Sequence, residues 1–174
     1  MIAEAPPFVT SLAWPRTLYQ YGAEETYRLA AEWLKDCATV ADWGGAAGCF
    51  RDYLPASVEY TLVDGTVQSA EQVLANLTTY RESSDGILLR HVLDNTHEWE
   101  PILFNALASF RKRMVVVTFT PDAAFTHRRE KKNGWPIWLF NPADLEREMG
   151  ALLIRDEEVS TTHPERVYYL ERPQ

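Results

Sequence analysis

The stretch Val40-Ala-Asp-Trp-Gly-Gly-Ala-Ala-Gly-Cys-Phe50, followed by Tyr60-Thr-Leu-Val-Asp-Gly65, decides the fold of this 174-residue chain. Each part starts as a short apolar run typical of a buried strand, and the first continues into a turn of glycine and alanine. Small residues after a strand let the backbone approach a ligand closely, and an acid ending the next strand can accept both hydroxyls of a ribose. The order strand, tight turn, helix and strand therefore predicts a parallel βαβ unit that suits a nucleoside.

Hydrophobic periodicity predicts the remaining elements outward from this unit. Residues 1–23, rich in proline and aromatic residues, predict an irregular N-terminal arm, and residues 121–141 predict an irregular loop or lid on the substrate side. The last two strands are expected to form an antiparallel closing pair. The predicted strands are 38–43, 58–63, 87–93, 114–120, 151–159 and 166–170, and the predicted helices are 24–35, 49–54, 66–80, 98–110 and 142–149.

Length, composition and charge limit the class of protein. The 174 residues, 46% of them hydrophobic and 24% charged, suit a single globular α/β domain over residues 1–174. A formal net charge of −8 opposes broad binding to a phosphate backbone. The two cysteines, Cys37 and Cys49, lack the spacing of a zinc site or a disulfide scaffold. Since neither a membrane-length apolar stretch nor a secretory signal pattern occurs, we expect a soluble, cytoplasmic protein without a membrane partner.

Four motifs in order along the chain resemble those of the class I S-adenosylmethionine-dependent methyltransferases. Asp42-Trp-Gly-Gly-Ala-Ala-Gly48 is similar to that family's Asp/Glu-x-Gly-x-Gly-x-Gly loop, and Leu62-Val-Asp64 is similar to its acidic second-strand end. Asp85-Gly-Ile-Leu-Leu-Arg-His-Val-Leu-Asp94 resembles its fourth strand and Arg113-Met-Val-Val-Val-Thr-Phe-Thr-Pro121 its fifth. The resemblance covers about residues 38 to 120. It implies a Rossmann-like sheet, mostly parallel, with an antiparallel closing strand.

The resemblance also implies a cofactor, S-adenosylmethionine, and residues to hold it. Asp42 would orient the turn and the methionine amine, the loop backbone would lie against the methionine and ribose, and Asp64 would take the ribose hydroxyls. Backbone near Arg90 and His91 would line the remaining side. The implied cofactor-binding residues are Asp42, Trp43, Gly44, Gly45, Ala46, Gly48, Asp64, Gly65, Thr66, Arg90 and His91.

The chain departs from the family pattern at two places. Ala46 replaces the middle glycine of the loop, and only twenty residues separate Asp64 from Asp85, too few for the usual helix, strand and helix. We therefore expect a sheet shortened by one strand, with order 2-1-4-5 in the family's numbering and the closing pair outside. The helix at 66–80 is expected on the opposite sheet face from the helix at 49–54. Thr66, Val67 and Gln68 then become the nearest residues to an adenine ring.

Polar residues are densest in the stretch Arg90-His-Val-Leu-Asp-Asn-Thr-His97, which follows the fourth strand. One interpretation makes His91 or His97 a general base that Asp94 orients. The other places the His91 ring beside the cofactor and uses Asp94-Asn95-Thr96 to cap the next helix. As metal ligands, His91, Asp94 and His97 match no common spacing, so no metal is expected.

The sequence predicts S-adenosylmethionine-dependent methyl transfer to an unidentified acceptor. An alternative is a catalytically weak or inactive methyltransferase-like module that acts as a partner-binding subunit, and a third is another nucleotide-binding enzyme such as an oxidoreductase. The 121–141 loop mixes Arg128, Arg129, Lys131 and Lys132 with tryptophans, which suits either a nucleic acid or a solvated lid. Because the whole chain is acidic, a small-molecule or protein acceptor is favoured over a nucleic acid.

Overall fold

A computed structural model describes residues 22–66, 71–120, 123–130, 136–159 and 164–173. Three α-helices, two of them amphipathic, and nine strands occur in these ranges. The helices are α1 (Glu24–Leu34), α2 (Trp99–Ser109) and α3 (Pro142–Met149), and a short 3₁₀ helix spans Cys49–Tyr53. The strands are β1 (Thr39–Trp43), β2 (Glu59–Asp64), β3 (Val73–Leu74), β4 (Ser84–Arg90), β5 (Phe110–Phe119), β6 (His127–Glu130), β7 (Pro136–Leu139), β8 (Leu153–Val159) and β9 (Glu165–Glu171).

Seven strands form one sheet in the order β3-β2-β1-β4-β5-β9-β8. The first five strands of that order run parallel, and β9 pairs antiparallel with both β5 and β8. The chain moves outward from β1 through β2 to β3 and then returns to β4 on the other side of β1. The strand order therefore reverses between β1 and β4, and the carboxyl ends at such a point are where open α/β sheets bind ligands.

Helices cover the two faces of the sheet unequally. The apolar side of α1, with Ala30 and Leu34, packs with the 3₁₀ helix on one face, against Val40, Leu88 and Val115. On the other face, α2 and α3 pack against a core made of buried residues from several strands. That core includes Trp43, Val63, Ile87, Leu89, Leu103, Met114, Leu145 and Tyr168. Because β5 is buried on both faces, its run Met114–Val117 is uniformly apolar.

The predicted α/β sheet, mostly parallel with an antiparallel closing pair, is confirmed. The expectation of a missing third strand is wrong, since Val73 and Leu74 pair in parallel with Val63 and Asp64 to form β3. The helix predicted over 66–80 is also wrong within 71–80, where this strand and a turn replace it. Pairing with β2 holds Val73 and Leu74 extended, and an Asx turn follows, in which the Asn76 carboxamide oxygen accepts hydrogen bonds from the Thr78 amide and hydroxyl.

Two further expectations concern the 121–141 stretch and the N-terminal arm over residues 1–23. The 121–141 stretch is not wholly irregular, because β6 and β7 form an antiparallel hairpin that pairs Arg128 with Trp138. The Asn133-Gly134 dipeptide, which lies between these two strands in the sequence, is outside the described residues. The predicted arm over 1–23 lies outside them too, except for residues 22 and 23.

In the part that the structure describes, no helix has both the length and the apolar character needed to span a membrane.

Candidate functional site at the carboxyl ends of the strands

The loop after β1 follows a path that mostly glycine can take. Gly44 and Gly48 have φ angles of 73° and 68°, in the left-handed region. The Gly44 amide donates to the Val63 carbonyl at 2.6 Å, so the loop turns immediately across the end of β2. Ala46 also has a positive φ, 49°, which costs a residue with a Cβ about 1 kcal/mol. The alanine that replaces the family's middle glycine therefore keeps the backbone path at a modest cost.

Close contacts explain why Gly45 and Gly44 of this loop carry no side chain. A Cβ on Gly45 would lie 2.3 Å from Oδ2 of Asp42, and one on Gly44 would lie 2.6 Å from Cγ2 of Val92. The loop thus lies directly over the Asp42 carboxylate on one side and against Val92 on the other. Its inner surface is set by the neighbouring strands β1 and β4.

Asp64, at the end of β2, faces this loop. Its Oδ2 accepts a hydrogen bond from the Ala46 amide at 2.9 Å, and its Oδ1 accepts from the amide and the hydroxyl of Thr66, both at 2.8 Å. A carboxylate has about four lone-pair positions, of which these donors occupy three. The carboxylate of Asp64, which the sequence analysis assigned to the ribose, is therefore held by the residues on both sides of it.

Asp42 is 2% exposed and is paired with a residue that the sequence analysis missed. The Tyr60 hydroxyl donates to Oδ2 of Asp42 at 2.8 Å. Burial raises the pKa of Asp42 to about 7, although the Tyr60 hydrogen bond opposes the rise. The available signal was register: Tyr60, Leu62 and Asp64 alternate along β2 and so share the face on which Asp42 lies.

His91 follows β4 in the left-handed region, with a φ of 54°, and its ring is buried between two carboxylates. Nδ1 lies 3.3 Å from Oδ2 of Asp94, and Nε2 lies 2.5 Å from Oε1 of Glu165. Burial disfavours the charged ring, but the charge of Asp94 and the hydrogen bonds to Asp94 and Glu165 outweigh it and raise the pKa of His91. An imidazolium that donates to both acids has no lone pair with which to accept a proton.

Glu165, at the start of β9, is the second residue that the sequence analysis missed. Its side chain is fully buried, and its Oε2 accepts a hydrogen bond from the Ala23 amide at 2.8 Å. Arg90 contacts the same segment, because its Nε donates to the Thr26 hydroxyl at 2.8 Å. These hydrogen bonds link the carboxyl end of β4 and the amino end of β9 to the start of α1. No local pattern could reveal Glu165, since its partner His91 is 74 residues away.

The structure brings most of the predicted cofactor residues together and separates others. Those at the ends of β1, β2 and β4 meet at the reversal of strand order, as predicted for the nucleoside site. The Trp43 side chain instead packs fully buried, edge-on to Tyr80 with ring centroids 5.0 Å apart, so only its backbone reaches the loop. Val67 and Gln68 lie outside the described residues. The residues gathered there are Asp42, Gly44, Gly45, Ala46, Gly48, Asp64, Gly65, Thr66, Arg90 and His91.

The residues predicted to be catalytic do not form one cluster. Asp94 contacts His91, but Oδ1 of Asp94 is buried without a hydrogen-bond partner among the described residues. His97 lies exposed farther along the loop. The predicted cap by Asp94-Asn95-Thr96 is wrong, because the residue that precedes α2 is Glu98, whose side chain makes no capping hydrogen bond. Within the described ranges, no group of His, Cys, Asp or Glu side chains suits a metal ion.

An open cleft of about 440 Å³ lies between α2, α3 and the β6-β7 hairpin. Its lining includes the aromatic residues Trp99, Phe104 and Trp138. The Trp138 indole donates to the Thr96 carbonyl at 2.9 Å, which joins the hairpin to the loop that follows His91. The cleft therefore adjoins the segment that carries Asp94 and His97.

No family model and no curated protein sequence matches the chain. Solved structures do match it in fold. A Burkholderia thailandensis 1,6-didemethyltoxoflavin-N1-methyltransferase, solved with 1,6-didemethyltoxoflavin and S-adenosylhomocysteine, aligns over 91% of this chain and 82% of its own, with TM-score 0.75 and 16% identity.

Two other solved methyltransferases give a similar result. Magnesium protoporphyrin IX methyltransferase from Synechocystis PCC 6803 aligns over 86% of this chain and 83% of its own, with TM-score 0.66 and 15% identity. An N-methyltransferase from Bradyrhizobium japonicum WM9, in complex with S-adenosylhomocysteine, aligns over 95% of each chain, with TM-score 0.65 and 11% identity. At these identities the likeness is one of fold.

Proposed function

The chain has the fold of the class I S-adenosylmethionine-dependent methyltransferases, and we propose that it transfers a methyl group from S-adenosylmethionine to a small-molecule acceptor. One observation carries the proposal: Asp64, ending β2, bonds the Ala46 amide of a loop whose Gly44 and Gly48 have positive φ, at the reversal of strand order. That combination offers backbone amides and a carboxylate to a nucleoside in one place.

The residues present fit the cofactor. Asp64 retains about one lone-pair position, and rotation of the Thr66 hydroxyl would release another, so both ribose hydroxyls could donate to it. Asp42 lies beneath the same loop, where its carboxylate would attract the methionine ammonium group. Gly45 keeps the loop close to that carboxylate. The three solved methyltransferases described above, each with S-adenosylhomocysteine bound, support this cofactor.

Methyl transfer depends more on the alignment of the methyl donor with the acceptor than on side chains that give or take protons. S-adenosylmethionine, when bound, would supply an electrophilic methyl carbon that exchanges its bond to sulfur for a bond to the acceptor. The protein then has to hold donor and acceptor in line and exclude water. His91, with both nitrogens facing carboxylates, fixes the end of β4 instead of accepting a proton. We assign its role to positioning, by a rigid link from β4 to β9 and α1.

We place the acceptor beside the segment 94–97, under the β6-β7 hairpin. The buried Oδ1 of Asp94 has no partner among the described residues, and a buried acceptor atom without a donor costs about 1 to 3 kcal/mol. A donor group on the acceptor molecule, reached by a small movement of the loop, would satisfy it. Where the acceptor carries a proton, the exposed His97 is the nearer of the two predicted bases to solvent. The cleft that joins this segment through Trp138 offers aromatic side chains to a ring system and charged side chains to its polar substituents; the charged residues of its lining are Glu100, Asp144, Arg147 and Glu148.

Calorimetric titration with S-adenosylmethionine and S-adenosylhomocysteine tests the proposal. We expect micromolar binding that Asp64→Ala abolishes, and that Asp36→Ala, an exposed acid paired with Arg113, leaves unchanged. No binding at millimolar ligand would contradict methyl transfer and leave the partner-binding module in its place. The occupied Asp64 carboxylate is the observation that favours that second function. Selective uptake of a nicotinamide cofactor would instead point to an oxidoreductase.

A further inference from the structure

We propose that Tyr60 is a positioning residue for the cofactor, whose hydroxyl keeps the Asp42 carboxylate ionised beneath the glycine loop and so sets the pH below which the cofactor is released. The inference rests on the proposed function, because it assigns to Asp42 the methionine ammonium group. It adds a residue of β2 to the site. Tyr60 lies outside the four motifs that resemble the family.

The geometry places the Tyr60 hydroxyl between the carboxylate and the loop. It donates to Oδ2 of Asp42 at 2.8 Å, and a Cβ on Gly48 would lie 3.4 Å from the same hydroxyl oxygen. The atom that receives this hydrogen bond, Oδ2, is also the one that a Cβ on Gly45 would meet at 2.3 Å. One hydroxyl therefore orients the carboxylate beneath Gly45 and itself lies beside Gly48, farther along the same loop.

The surroundings of Asp42 make this hydrogen bond important for its charge. Burial and the nearby Asp64 both disfavour a second negative charge, whereas Tyr60 and Arg90 favour it. Burial therefore raises the pKa of Asp42, to about 7. A group balanced in this way changes charge near neutral pH, so the loss of a single donor changes its ionised fraction at working pH.

Other titratable groups face this pair from every element packed on it. Tyr27 of α1 and Cys49 of the 3₁₀ helix add to the field at Tyr60, whose own pKa burial raises far above its usual value. The Arg90 guanidinium lies 4.0 Å from the centroid of the Tyr27 ring. Tyr53 stacks on Tyr27, with centroids 5.2 Å apart. Burial raises the pKa of Tyr27 to about 12, so this neighbouring phenol stays neutral while Asp42 changes charge.

The test is a comparison of Tyr60→Phe with a matched loss of one phenol, Tyr80→Phe. Tyr80 packs edge-on against Trp43 of β1 on the opposite face of the sheet and takes no part in the Asp42 network. For each protein, S-adenosylhomocysteine binding is measured by calorimetry from about pH 5.5 to about 8.5. In parallel, the Asp42 carboxyl is titrated without ligand by carbon-13 NMR, and thermal unfolding confirms that each variant is folded.

We expect wild-type binding to weaken as pH falls through 7, approaching about tenfold per pH unit. In Tyr60→Phe the midpoint should move up by about one pH unit, both in binding and in the NMR titration, which corresponds to about fivefold weaker binding at pH 7. Tyr80→Phe should keep the wild-type midpoint. A uniform loss of affinity without a shifted midpoint would show a merely structural role for Tyr60 and overturn the inference.

Failure of the two proposals can be told apart. If wild type binds neither S-adenosylmethionine nor S-adenosylhomocysteine at any pH, the proposed function and the role of Tyr60 in binding both fail. If wild type binds but the Asp42 titration is the same in Tyr60→Phe, the proposed function stands and the inference alone is wrong. Should Tyr60→Phe unfold, Tyr60→Leu, which has no donor and adds no volume, takes its place with the same expected midpoint shift.

Discussion

The two halves of the candidate site are built in different ways. On the β1-β2 side, Asp42, the glycine loop and Asp64 lie within one stretch of 23 residues, in which Asp64 bonds the Ala46 amide and Asp42 bonds the Tyr60 hydroxyl. On the β4-β9 side, His91 depends on Glu165, 74 residues away. The first half is a local motif whose strength lies in backbone geometry. The second is a tertiary ion pair, which forms only when β9 has closed against β5.

This difference predicts that substitutions in the two halves affect different properties of the protein. Changes to the loop should affect ligand binding more than folding, since the loop lies at the surface end of two strands. Changes to the buried pair should affect stability first, because they leave a charge or a donor unpaired in the interior. The following substitutions test that contrast.

Glu165→Ala should have the largest effect. It removes the carboxylate facing Nε2 of His91 and the acceptor of the Ala23 amide, both buried, and we expect a loss of about 3 to 5 kcal/mol in unfolding free energy. Because the pKa of His91 is raised, its folded form holds a proton that the unfolded chain begins to lose near its usual 6.5. The stability due to the pair is therefore complete below that pH and declines as pH rises through the folded value.

Urea unfolding at two pH values measures this, with Glu158→Ala as the control. Glu158 lies exposed on β8, where its partner is Arg166 at 3.4 Å. A loss for Glu165→Ala no larger than that of the control would mean that the His91 pair does not hold the β4-β9 half together.

Asp42→Asn, a change in the β1-β2 half of the site, should alter how the stability of the protein depends on pH. The pKa of Asp42 is raised to about 7 from 3.8, so between these values the folded state binds more protons than the unfolded chain. Wild-type stability must therefore fall as pH rises from about 4 to about 7. An uncharged, isosteric side chain removes that fall, and the variant should gain roughly 2 to 4 kcal/mol relative to wild type across this interval.

Thermal or urea unfolding across the same pH range gives the result, with Asp36→Asn as the exposed control. Parallel pH profiles for wild type and Asp42→Asn would show that the carboxylate is solvated in the folded protein and would remove the contrast between the halves.

Gly45→Ala should separate binding from stability. Its Cβ would lie 2.3 Å from Oδ2 of Asp42, so either the loop or the carboxylate must move, at a cost of about 1 to 3 kcal/mol. We expect S-adenosylhomocysteine binding to be lost while the fold survives. Gly150→Ala is the matched control, since its Cβ meets nothing within 4 Å but its φ of 55° costs about 1 kcal/mol. Retained affinity in Gly45→Ala would contradict the close fit of the loop.

Leu74→Ser should have the smallest effect. Leu74, in the two-residue strand β3, is 52% exposed, so the loss of its apolar contacts should cost no more than about 0.5 kcal/mol. If β3 borders the adenine, as the third strand does in the resembled family, affinity for S-adenosylhomocysteine should fall a few-fold while the unfolding midpoint stays the same. An effect on stability above about 1 kcal/mol would show instead that this edge holds the sheet together.

Prediction from the sequence succeeded where the features of the site follow from patterns within short segments of the chain. The loop after β1, the acid that ends β2 and the histidine that follows β4 were predicted at the places where the structure has them. The 66–80 helix was wrong because the helical spacing of Val73, Leu74 and Leu77 competed with pairing to β2 and with the Asn76 turn. Local periodicity cannot weigh a hydrogen-bonded neighbour that arrives from elsewhere in the chain.

By itself, the sequence determined the fold class, the positions of the glycine loop and Asp64, and the relative order of four of the five parallel strands. These follow from patterns within a few tens of residues, where backbone propensity and turn chemistry decide. Only the tertiary structure decided that Tyr60 bonds Asp42, that Glu165 faces His91 and that the Trp43 side chain turns into the core. The reason is that burial, charge and donor pairing belong to side chains from separate strands, and their energies exist only once the sheet has assembled.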